Sequence, residues 1–205
     1  MLTKWHIHVP HQLQLLLCLG LFILNCQNPF SMREAEEPGK GETIRDPARS
    51  PVHLLSNFTK SISDQDADEY KRCLVDTAYS ERMFRFIPDP TVQETYPTAF
   101  ENWNTNREEE VMREAFLYVP DDSLSQLIFT ENVHEVLAAD SAEYIRQYRL
   151  ELHHNRDDLP VVFEGQIHLR MTEDARGEWV IYYWKDRNVV VEQQGWSDLK
   201  AVLGG

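Results

Sequence analysis

The 205-residue chain is short of cysteine, glycine and basic residues, and each shortage excludes something. Its three cysteines, Cys18, Cys26 and Cys73, have no spacing that resembles a zinc site. No metal or other cofactor is expected. Twenty Lys and Arg stand against 34 Asp and Glu, for a net charge of −14. A nucleic-acid binder needs a basic surface for phosphate, so that partner class is excluded. A protein held on a membrane by basic residues is excluded for the same reason. The apolar run Leu13–Leu24, "LQLLLCLGLFIL", falls short of the about 20 residues of a membrane-spanning helix. There is no internal repeat. What remains is an apolar fraction of 42%, with 11% aromatic, enough for the core of one ordinary domain.

The N-terminus reads as an address. Residues 1–12 are polar, with one lysine, and no Asp or Glu occurs before Glu34. A short polar start and a short apolar core make a signal-peptide pattern over 1–25. "QNPFSMREAEEPGKGETIRDPARSP" then reads as a flexible tether, with the linker placed at 26–49. "ILNC", Ile23 to Cys26, resembles the lipobox of bacterial lipoproteins, with Asn25 in place of the usual small residue. That resemblance implies cleavage before Cys26 and a lipid on its sulfur. The protein would then be exported and anchored in the cell envelope. The alternatives are a signal peptide cut further on, or an uncleaved anchor. With Cys18 removed and Cys26 lipidated, only Cys73 remains, a small core residue by default.

The folded domain is placed at 50–200, with 201–205 as a tail. Ser50-Pro51 sets a cap before a proline at the first helical position. Val52, Leu55, Phe58 and Ile62 then recur at helical spacing. "DADEYKRCLV" opens with acids and predicts a second, short helix. A strand follows from Met83, with Phe84 and Phe86 on one face and Pro88 as a stop. Residues 88–105 read as an aromatic loop. Thr105 and Glu108 fit a capping box at the start of a third helix. Its stripe is Val111, Met112, Ala115 and Phe116, and its run "REEEVMRE" reads as a solvated face.

The remainder alternates as strands do. Tyr144, Tyr148, Leu150 and Leu152 share one face; so do Val161, Phe163, Ile167, Leu169 and Met171. Trp179, Ile181 and Tyr183 share a face of the last strand, with Tyr182 and Trp184 opposite. One of those two sets must leave the core, for a dimer face or a place under the tail that contains Trp196. Helices first and strands later predict an α+β domain, three helices packed on a curved antiparallel sheet.

The closing segment "GEWVIYYWKD" resembles the last strand of the NTF2-like family, whose pattern W.I..W.D falls on Trp179, Ile181, Trp184 and Asp186. The resemblance spans about residues 50–200. It implies a cone with a pocket between the sheet and the first helices. An enzyme of that family uses a pocket carboxylate or histidine, with tyrosine hydroxyls that stabilise an oxyanion. Asp76 is the candidate base, with Tyr79 beside it. Tyr70, Trp103, Tyr148 and His168 are the candidate pocket wall. The plainer reading makes Asp76 a turn residue. His153 and His154 are adjacent on a strand and point to opposite faces, so they do not form a metal pair.

No paired acid and base is evident, and this favours a non-catalytic, lipid-anchored domain that binds a small apolar ligand or a protein partner, with a homodimer as a further option. The alternative is an isomerase- or dehydratase-like enzyme. A third option is a structural domain with no open pocket.

Overall fold

The computed structural model describes residues 46–190 and 192–205. The expected signal segment 1–25, the lipid site Cys26 and the tether up to residue 45 lie outside the described residues. Among the described residues no helix is long and apolar enough to cross a membrane.

The folded body begins slightly before the predicted boundary at residue 50. Ala48 is buried, and its carbonyl accepts from the Trp179 N–H at 2.8 Å. Helix α1 is Pro51–Ser63, with Ser50 as its cap: the hydroxyl accepts from the His53 N–H at 3.1 Å. Its buried stripe is Leu54, Leu55, Phe58, Ser61 and Ile62. Val52, expected on that stripe, is 65% exposed, because it lies away from the face centred on Phe58. Helix α2 is Ala67–Arg72, with Asp66 as its cap, acids in its first turn and Lys71 and Arg72 in its last.

Strand β1, Arg85–Ile87, starts two residues later than predicted and leaves Met83 exposed. Phe84 and Phe86 turn inward as expected. The presumed loop 88–105 holds a short helix, α3, Pro90–Thr95. Asp89 caps it by accepting from the Thr91 N–H at 2.9 Å, and Pro90 sets its first turn. Helix α4 is Thr105–Leu117. Its cap is Asn104, whose Oδ1 accepts from the backbone N–H of Asn106 and Arg107. The Thr105–Glu108 capping box is therefore corrected: Glu108 turns inward with Val111 and Met112.

Four long strands complete a five-stranded sheet: β2 Ser125–Leu137, β3 Ser141–Leu152, β4 Val162–Glu173 and β5 Trp179–Arg187. The order is β1-β5-β4-β3-β2, antiparallel except for the β1–β5 pair. The inner faces of β3 and β4 are those predicted, apart from Val161, which lies just before β4 at the surface. Strand β5 is not simply alternating. Arg170 pairs with Tyr183 and Met171 pairs with Ile181, so Tyr182 is an extra residue in a bulge. The bulge turns both Ile181 and Trp184 toward the core, and Tyr183 goes outward.

The segment 201–205, read as a tail, is corrected too. Helix α5 runs Trp196–Gly204 and packs on α3, α4, β4 and β5. Trp196 stands edge-on to Trp184, ring centroids 4.6 Å apart. Phe58 touches Tyr70, Trp184 and Trp196. Such aromatic contacts add about 0.5–1.5 kcal/mol each beyond simple area burial. They lock α5 into the hollow between sheet and helices.

Candidate functional site

The hollow contains two buried carboxylates, and helix α5 touches both. Glu108 reaches it from the first turn of α4, because it shares the helical spacing of Val111, Met112 and Ala115. Tyr70 on α2 donates its hydroxyl to Glu108 Oε1 at 2.6 Å. The Trp103 indole N–H donates to Oε2 at 2.7 Å. Lys200 on α5 brings Nζ to 2.8 Å from Oε1, and neither charged side chain is exposed. This contact is a buried ion pair. The ammonium also lies over two rings, 3.5 Å from the Trp184 centroid and 3.7 Å from that of Phe86. Burial pushes the Lys200 pKa below its usual range, against the opposing pull of Glu108 and Asp186. Burial, then the charge of Glu108, pushes the Tyr70 hydroxyl well above its usual value.

Asp186 faces inward from β5, two residues after Trp184 and so on the same face. It is wholly buried and accepts three hydrogen bonds. The Tyr148 hydroxyl donates to Oδ1 at 2.9 Å. The Ser197 N–H and hydroxyl donate to Oδ2 at 2.7 and 2.6 Å. The Tyr148 oxygen in turn accepts from the Trp196 N–H at 2.6 Å. Asp186 and Tyr148 thus serve the open N–H groups at the start of α5, as a side-chain cap would. Gly195, just before the helix, lies against the Asn188 side chain: a Cβ there would lie 2.2 Å from Asn188 Oδ1, which would have to move. Burial raises the Asp186 pKa, although Ser197, Tyr148 and Lys200 favour its charged form. Burial, followed by the Asp186 charge, raises that of Tyr148.

The predicted wall residues divide into three groups. Tyr70 and Trp103 meet at Glu108, and Tyr148 joins Asp186. His168 is not in the hollow. It lies on the outer face of β4, 2.8 Å from Glu143 and edge-on to Tyr183. Its side-chain alternation with Ile167 and Leu169 puts it there. Burial lowers its pKa, with Glu143 pulling the other way. Asp76 and Tyr79 are also outside. Asp76 Oδ1 accepts from the Ala78 N–H at 2.9 Å, an Asx turn. Tyr79 is 43% exposed, with the Arg176 guanidinium stacked on its ring. Asp76 lines a surface groove of about 340 Å³ with Lys71, Arg72 and Arg176. Among the described residues no three His, Cys, Asp or Glu side chains converge as metal ligands.

Glu108, Asp186, Ser197 and Lys200 were absent from the predicted site. Three of the four had a signal in spacing: Glu108 in an apolar helical stripe, Asp186 in phase with Trp184, Lys200 four residues after Trp196; Ser197 had none.

No family model matches the chain, and no curated protein matches its sequence. Solved structures do match. A candidate dehydratase of the NTF2-like family from Streptomyces avermitilis aligns at a TM-score of 0.50 and 8% identity, over 67% of this chain and 92% of that one. An NTF2-like superfamily protein from Salmonella enterica aligns at 0.49 and 11% identity, over 68% and 90%. An NTF2-like protein of unknown function from Shewanella oneidensis aligns at 0.46 and 16% identity, over 67% and 95%. The fold is NTF2-like: helices packed on a curved, unclosed sheet of five strands.

Proposed function

We propose that this chain is a non-catalytic NTF2-like domain that acts by presenting its surface to a protein partner at the cell envelope. The observation that carries the reading is the position of α5. Trp196, Ser197 and Lys200, all fully buried, occupy the hollow where a cone would receive a ligand. Both interior carboxylates are committed to donors from the protein itself. A general base needs a proton to take from a substrate within hydrogen-bond reach, and here that reach is already filled. The alternative of an isomerase- or dehydratase-like enzyme asks for a pocket carboxylate beside a tyrosine. Asp186 and Tyr148 form such a pair, sealed beneath α5. The expected pair, Asp76 and Tyr79, lies in a surface turn instead.

The envelope location rests on the signal-like segment and the lipobox-like "ILNC", with a lipid on Cys26 as the membrane contact. A filled cone leaves a small apolar ligand no place beside α5, and so favours a protein partner over that ligand. Native mass spectrometry of residues 46–205, purified from the source cells, tests the reading. The expected spectrum holds protein mass alone. A small molecule retained in stoichiometric amount overturns it.

A further inference from the structure

A buried ion pair is a costly way to close a hollow. Taking two charges out of water costs several kcal/mol per ion, and an apolar residue of similar size often serves as well. Lys200 nevertheless ends in the centre of the domain, within an arrangement suited to an organic cation. Phe86 and Trp184 present ring faces at 3.7 and 3.5 Å, and Trp196 adds a third at 5.6 Å. Glu108 supplies the counter-charge, and its two oxygens are fixed by Tyr70 and Trp103. Aromatic faces around a carboxylate recognise ammonium groups through the ring quadrupole and direct charge pairing. Glu108 is carried by α4, and the groups that fix it come from α2 and from the segment before α4, so the cage does not depend on α5 for its anion.

We propose that the interior of the cone is a binding site for an alkylammonium group, and that Lys200 is its occupant in cis. The ligand class is a primary amine on a short unbranched alkyl chain. The lysine stem supplies the apolar length and Nζ the charge. This goes beyond the surface-partner reading, since it concerns what the closed cone holds, and its test involves no partner.

The test removes the occupant and returns its chemistry from solution. Lys200→Ala in the full chain deletes three methylenes and the ammonium beyond Cβ, which n-propylamine hydrochloride replaces. Thermal unfolding is followed in n-propylamine, with 1-propanol as the uncharged match, at equal ionic strength. The amine should raise the melting temperature of Lys200→Ala by about 2–4 °C or more, the shift for a ligand worth roughly 1 kcal/mol in a domain of this size. It should leave the parent chain unmoved, because Lys200 already fills the cage. The double variant Lys200→Ala, Glu108→Gln should not respond. Equal shifts with propanol, no shift at all, or an undiminished response in the double variant would overturn the proposal. If Lys200→Ala does not fold unaided, its refolding yield in propylamine against propanol gives the same reading: only a gain specific to the amine supports an ammonium site.

Discussion

Lys200 and Glu108 lie 2.8 Å apart on two different helices, α5 and α4, and neither side chain reaches solvent. The pair ties the last helix to the body of the domain, and its energetics are asymmetric. Removing one partner strands a charge in a dry interior, whereas removing both leaves only a change of shape. Lys200→Met should therefore destabilise the domain by about 3–5 kcal/mol. Adding Glu108→Gln should recover most of that loss, since the amide oxygen can accept from the Trp103 indole N–H while its NH2 donates to the Tyr70 oxygen. Urea unfolding of the two variants checks this. Additive losses would mean that the pair is not coupled.

The surroundings of Tyr70 allow a finer cut. Tyr70→Phe keeps the ring against Phe58, at 5.1 Å between centroids, and deletes only the donor to Glu108. A buried acceptor robbed of one donor costs about 1–3 kcal/mol. The expected result is a loss in that range with an unchanged denaturant slope, because the surface exposed on unfolding stays the same. A loss below about 0.5 kcal/mol, the ordinary range for surface changes, would place the hydroxyl outside the network.

The fold was legible in the sequence wherever periodicity is imposed by one buried face. The stripe Val111, Met112, Ala115 and Phe116 and the alternation of β3 and β4 are of that kind. The site was less legible, because its residues break the polarity rule that reveals a core. Glu108 sits in an apolar stripe, and its proximity to Thr105 also fits a capping box; Asn104 takes the cap instead. Lys200 reads as solvent-facing until the aromatic rings it packs on are known. The bulge at Tyr182 is a long-range matter of register, and it reverses the facing of Trp184 relative to strict alternation. His168 shows the converse: its phase with Glu164 and Arg170 places it on the outer face.

Gly165 marks a tight backbone approach in the sheet. It stands opposite Tyr148 in the β3–β4 register. A Cβ there would lie 2.6 Å from the Arg187 carbonyl oxygen and 2.8 Å from the Tyr148 hydroxyl. The first neighbour is backbone and cannot rotate away. Gly165→Ala should cost about 1–3 kcal/mol, in the manner of overpacking. It should also disturb the Tyr148–Asp186 hydrogen bond. Melting temperatures of Gly165→Ala and of Gly165→Ala with Tyr148→Phe separate the two contacts: the double variant keeps most of the loss if the carbonyl dominates.

Anchoring has its own check. Cys26→Ser in the source cells should move the protein from the membrane to the soluble fraction and abolish incorporation of labelled fatty acid. Retention of the variant in the membrane fraction would count against Cys26 as the lipid site and favour an uncleaved apolar segment.

Asp174 and Asp186 respond to pH in opposite directions. For Asp174, burial works to raise the pKa, but hydrogen bonds from the Arg176 side chain and from the Arg176 and Glu178 N–H groups outweigh it and hold the value below the usual 3.8. Its contribution to stability is present above that usual value and is lost as pH falls through the folded one. Asp186 has a raised pKa, chiefly from burial. The folded chain then binds its proton more tightly than the unfolded chain does. Its contribution is present below pH 3.8 and is lost as pH rises through the folded value. Asn is a mimic of the protonated acid that does not titrate. Relative to the parent, Asp186→Asn should therefore gain stability between about pH 3 and pH 7. Asp174→Asn should lose stability over the same interval. Urea midpoints at the two pH values measure both slopes. A falling difference for Asp186→Asn would mean that Ser197, Tyr148 and Lys200 together outweigh burial and keep Asp186 charged.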